Sequence, residues 1–287
     1  MGKSKAPEPR QDGLKARKAR RASRMRLAFS GDWGDRLCKD LSAVCSIGRT
    51  LFLAADEKAQ LERLVWNADS RQFDGHASFA LKDFLPLKEA ADDEVDIEGL
   101  APAPDGKALW LVGSHCQARG GVDKPTKAKE VAAWLTHIRP GPNRFLLGHI
   151  PLAPDGDGGP LAPAAEAGGL RAASLPFTND GSLLTEVLRE DPHLGRFLRA
   201  NAPAKENGFD IEGLAAAGDR IFLGLRGPVL RGWAMVLEVN PVPAGEKRLD
   251  LANLPGDSRL YRKHFLGLDG LGIRDLMVDG QDLLVLA

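Results

Sequence analysis

The chain is 287 residues long, 43% hydrophobic and 27% charged, with 39 Lys and Arg against 39 Asp and Glu. That length buries a sizeable core, and the apolar runs fall far short of the roughly 20 residues that span a bilayer, which excludes a helical membrane protein. The neutral total hides an asymmetry: residues 1–26 carry ten Lys and Arg against Glu8 and Asp12, leaving 29 basic and 37 acidic residues in the rest.

Residues 1–25 read as a solvated, disordered basic tail. The tail has no interleaved aromatics, and no folded DNA-binding motif follows it, so nucleic acid is not an expected partner beyond what a basic arm attracts. It also lacks the apolar core of a signal peptide. Cys38, Cys45 and Cys116 are odd in number and show no C-x-x-C spacing, which argues against a zinc site or a disulfide framework. Buried reduced thiols without a signal peptide point to a cytoplasmic protein.

Beyond the tail, Arg26 to Ser30 alternates as a strand does. Leu41 to Val44, Thr50 to Ala54, Leu61 to Trp66 and His76 to Leu81 follow as four short strands. Next comes Asp96-Ile97-Glu98-Gly99-Leu100-Ala101, which returns letter for letter as Asp210-Ile211-Glu212-Gly213-Leu214-Ala215. Each copy leads through a short turn into an apolar strand, Leu109 to Val112 and Ile221 to Leu223. Lys127 to Ile138 place Val131, Trp134, Leu135 and Ile138 on one side of a helix, and Phe145 to Ile150 return to strand. Residues 151–173, rich in Pro, Gly and Ala, read as a surface loop. Ser182 to Glu190 read as a helix ended by Asp191-Pro192, because proline disfavours helix in the residue before it. Residues 151–206 are thus a helical and loop insertion, and residues 26–287 form one domain.

The layout of the hexapeptide recurs, with altered acidic letters, at Asp40 to Val44 and Gly272 to Leu276. The starts at 40, 96, 210 and 272 are separated by 56, 114 and 62 residues, so a degenerate copy is expected near residue 153. A period of about 57, filled by strand, Gly/Asp turn and strand, predicts an all-β fold, a β-propeller of about six blades in its full-length form. The N-terminal strand is expected to join the last blade, and a chain ending at Ala287 after a second strand reads as shortened.

The two hexapeptides, Gly208-Phe209-Asp210 and the run from Phe222 to Gly232 resemble the bacterial domain-of-unknown-function family 3616, over roughly residues 26–287. The resemblance implies a propeller and no assigned activity. A looser likeness to esterase-like phytase propellers is confined to the D-x-E-G signature.

Polar residues on inner blade strands belong at strand ends and along the central channel. Asp96, Glu98, Asp210 and Glu212 are therefore expected near one mouth, where gathered carboxylates either take up protons, recruit a cation or pair with arginines as struts. Calcium is the expected cation because it accepts many oxygens in flexible geometry. Arg274 occupies the repeat position of Glu98 and Glu212. With Arg226, Arg231, His115 and Lys205 it forms a candidate site for a small anionic ligand, carboxylate or phosphate; the alternative is self-neutralisation. A protein partner is also compatible with such a module. The histidines show no H-x-H or H-E-x-x-H spacing, G-x-S-x-G is absent, and Gly256-Asp257-Ser258 reads as a turn. Two functions remain open: a binding or scaffold module, and a metal-assisted hydrolase of a phosphate or carboxylate ester.

Overall fold

Strands form where apolar residues recur between Gly, Asp and Pro turns, and in the first sheet they meet as a meander. β1 (Leu41–Ile47), β2 (Thr50–Ala55), β3 (Gln60–Asn67) and β4 (Gln72–Ala80) lie side by side in that order, all antiparallel. The β1–β2 turn needs a positive φ, which Gly48 supplies at 59°; Gly218 and Gly280 do the same in the equivalent turns of later sheets, at 59° and 64°. The computed structural model describes residues 15, 24–30, 39–55, 58–88, 94–119, 127–139 and 141–287. Apart from residues 15, 24 and 25, the basic tail lies outside the described residues, and so does Cys38.

The second sheet begins with β5 (Ile97–Pro102) and β6 (Ala108–Gly113). A short ribbon, β7 (Ala118–Arg119) with β8 (Ile138–Arg139), flanks helix α1 (Ala128–Trp134). The sheet resumes with β9 (Leu147–Pro154) and β10 (Leu161–Pro163), in the order β10-β9-β6-β5. A hairpin, β11 (Glu166–Ala167) with β12 (Leu170–Arg171), precedes β13 (Ala173–Ser174), which pairs with β9. Helices α2 (Leu183–Leu188) and α3 (Gly195–Ala200) follow. Ser182 caps α2, its side chain accepting from the Thr185 amide while Thr185 accepts from the Ser182 amide.

The third sheet holds β14 (Asp210–Ala217), β15 (Arg220–Gly227), β16 (Trp233–Pro243) and β17 (Leu249–Ala252) in that order, with β18 (Tyr261–Gly267) also on β16. β19 (Asp275–Asp279) and β20 (Asp282–Leu286) pair as a fourth. The innermost strands pack in sequence, β1 on β5, β5 on β14 and β14 on β19. The core lies between sheets: Phe52, Leu61, Leu109 and Ile150 fill the first gap, Leu147, Ile211, Leu214 and Leu223 the second, and Ala234, Ile273 and Leu276 the third. Four-stranded meanders stacked through their inner strands are propeller blades.

Several expectations are corrected. Residue 153 lies within β9, the third strand of the second sheet, so the 114-residue step holds one blade with an enlarged connection rather than two blades. Residues 151–173 are not a loop: β9 runs on to Pro154, β10 pairs with it, and Ala172, Ala173 and Leu175 are buried. Proline is tolerated because Pro154, Pro160 and Pro163 stand at strand ends and on an edge. The Arg26–Ser30 segment does not join the last sheet. Leu27 bridges in parallel to Phe73 of β4, with the Ala28 amide donating to Phe73 at 2.8 Å. Helix α1 is shorter than expected, with Ile138 in β8.

Candidate functional site

Each hexapeptide builds the same backbone irregularity. The register shifts between Ile97 and Gly99 in β5 and between Ile211 and Gly213 in β14, so Glu98 and Glu212 sit on bulges; in β1 the shift falls at Ser42. A bulge re-aims one side chain. Ser42 Oγ donates to the Ile97 carbonyl of the next sheet, and Glu212 reaches Arg274 at the start of the sheet after its own. The glycine that follows admits a neighbour. A Cβ on Gly99 would lie 2.6 Å from Leu214 Cβ, and one on Gly213 would lie 2.8 Å from Leu276 Cγ.

The polar side chains collect at this end of the inner strands. Arg226 of β15 donates from Nη1 to Glu212 Oε1 at 2.7 Å and holds Nε 2.6 Å from Asp210 Oδ2. Arg274 Nη1 donates to both Glu212 oxygens, at 2.9 and 2.7 Å. On the neighbouring sheet, Arg144 Nη1 pairs with Asp96 Oδ2 at 2.9 Å, and Arg144 also holds Glu94 and contacts Cys116 Sγ. Burial pushes the Asp210 carboxyl up to about 7; Arg226 opposes that shift while Glu212 and Asp96 reinforce it. The close Arg226 contact does not reverse it, because Asp210 is 2% exposed and its Oδ2 makes no aligned hydrogen bond. Burial, with Asp210 and Asp96, also pushes the Cys116 thiol up to about 12, which leaves it protonated and unreactive.

Sequence position therefore brings Asp210, Glu212, Arg226 and Arg274 together, with Asp96 within their electrostatic reach. Glu98 is half-buried in β5. Arg231 is exposed in the turn before β16, and Lys205 is exposed on the short helical turn Ala204–Glu206; neither pairs with this group among the described residues. His115 is buried and lines a separate cavity. Arg144 and Glu94 belong to the network without having been singled out in the sequence. Their one signal is the analogy between the Asp96–Arg144 and Asp210–Arg226 pairs.

Among the described residues no three His, Cys, Asp or Glu side chains converge so as to hold a metal ion. Asp96, Asp210 and Glu212 each face an arginine, so the carboxylates as placed do not supply the six to eight oxygens that calcium takes. No helix among the described residues is long and apolar enough to cross a membrane.

Consecutive blades with an arginine–carboxylate network at the inner-strand ends define the class as β-propeller. Residues 40–287 match the family described as "Protein of unknown function (DUF3616)", and the chain belongs to it. No curated protein matches. Among solved structures, the chain is similar to the β-propeller domain of Myceliophteria thermophila Cps50 (Swd1), at 9% identity and a TM-score of 0.36, covering 90% of this chain and 54% of that one. It therefore spans about half the length of that structure. It is also similar to the holo PQQ domain of pyranose dehydrogenase from Coprinopsis cinerea, at 10% identity and a TM-score of 0.29, covering 84% and 77% of the two chains. The propeller assignment rests on the sheets themselves.

Proposed function

We propose that the protein is a propeller binding module that takes a small anion, carboxylate or phosphate, at the arginine side of the network. Arg274 carries this reading. Its side chain is 56% exposed, and only Nη1 engages Glu212 among the described residues. Nε and Nη2 are thus left to present a fork to a bidentate acceptor. Arg226 and Arg274 share Glu212, and burial raises Asp210 to about 7, so the carboxylate charge facing the two guanidinium groups is reduced near neutral pH.

Calorimetric titration with inorganic phosphate and with malonate tests the reading. Saturable binding that Arg274→Ala weakens tenfold or more, with an unchanged urea midpoint, is the expected result; no heat from either anion ends the proposal. The alternative, a metal-assisted hydrolase with calcium on Glu98 and Glu212, requires Glu212 to leave its arginines. Calcium binding lost in Glu98→Gln/Glu212→Gln, together with ester turnover lost in Glu212→Gln, would put that reading in its place.

A further inference from the structure

The loop after β6 holds a buried polar group that the network does not use. His115 is 2% exposed and has φ 54°, a left-handed conformation that is strained in a non-glycine residue and persists where the surroundings enforce it. Its amide donates to the Arg144 carbonyl at 2.9 Å, and Nδ1 lies 3.0 Å from the Gly113 carbonyl. A carbonyl only accepts, so Nδ1 carries the proton. Burial lowers the imidazole pKa to about 4, which makes the ring neutral at physiological pH and Nε2 a bare acceptor. Nε2 is buried without a hydrogen-bond partner among the described residues. A buried acceptor left unmet is destabilising until a donor reaches it.

The ring lines a cavity of about 30 Å³ together with Phe145, Phe197, Phe209, Gln117 and Asp180. Phe145 stands edge-on to the imidazole, with interplanar angle 87° and centroids 6.0 Å apart. The space holds one or two water-sized groups, enough for the head of a primary amine and too little for a trimethylammonium. Three phenyl rings favour a cation, and the exposed Asp180 adds negative charge at the rim. Arg189, which also lines the cavity, is offset by Glu186 at 2.9 Å. None of the lining residues belongs to the arginine–carboxylate network.

We propose that this cavity binds a primary ammonium group, with His115 Nε2 accepting one N–H, the Phe145, Phe197 and Phe209 rings enclosing the charge and Asp180 neutralising it. The proposal stands independently of anion binding at Arg274. Long-range 1H–15N spectra of histidine-labelled protein, titrated with methylammonium chloride against sodium chloride at equal ionic strength, read it directly. The expected result is a saturable shift of the His115 Nε2 resonance, weakened at least fivefold in Asp180→Asn, a substitution at an exposed position. Tetramethylammonium, which is larger and has no N–H, leaves the resonance in place. The proposal is overturned if methylammonium gives no saturable shift, if tetramethylammonium gives the same shift, or if Asp180→Asn binds as tightly as the wild type; in each case the cavity is a void for water.

Discussion

Asp210 shows how burial overrides an ion pair. Its carboxyl titrates near 7 in the folded protein against 3.8 ordinarily, so the native state holds a proton that the unfolded chain releases. The stabilisation from this proton is complete below about pH 4 and fades as pH rises through 7. Urea denaturation of wild type and Asp210→Asn between pH 4 and 8 should show the wild type losing ground to the variant over that range; parallel curves would contradict the shifted carboxyl. At this scale the repeat exposed Asp210 and Glu212 by position, and the exchange of Glu for Arg274 announced the charge pairing. Arg144 stayed hidden because its partner Asp96 is reached from the non-repeated turn Pro142–Phe145, which no internal copy marks.

At the scale of strands, the glycine of the hexapeptide is a requirement of packing between sheets. Gly99 has no need of a positive φ, yet an added Cβ would lie 2.6 Å from Leu214 Cβ and 2.9 Å from Val112 Cγ1. Gly99→Ala is expected to destabilise by about 1–3 kcal/mol through overpacking, read as a lower urea midpoint; a neutral midpoint would mean that the sheets can part without cost. The hairpins were legible because apolar runs between Gly and Asp turns leave few other conformations. β10 to β13 were not. Their Pro, Gly and Ala composition is that of a loop; β10 and β13 are strands because they pair with β9, and β11 and β12 because they pair with each other, pairings that local propensity does not contain. The same holds for Leu27, whose alternation predicted a strand but not its neighbour.

For the molecule as a whole, apolar residues are shared between sheets, so protection should follow how many neighbours a sheet has. β9 and β16 lie deep within sheets packed on both sides, whereas β19 and β20 leave Met277 at 58% and Leu286 at 62% exposed. Hydrogen exchange is expected to be slowest in β6, β9, β15 and β16 and fastest in β19 and β20; equal protection throughout would show a single cooperative unit. The period of about 57 predicted blades but placed a degenerate copy near residue 153, where β9 runs instead, because a long connection after β10 fills much of the second half of the 114-residue step. The pairing of Gly99 with Leu214 and of Gly213 with Leu276 also gives the stack a direction. The two glycine-bearing strands, β5 and β14, each offer a notch on one side and a leucine knob at the next position, a head-to-tail joint between neighbouring sheets. In β1 the knob position is held by Val44, 56% exposed, while in β19 the notch position is held by Asp275. The Asp275 carboxylate lies within electrostatic reach of Cys45 in β1, so the last joint of the stack leads back toward the first sheet rather than out to a second molecule.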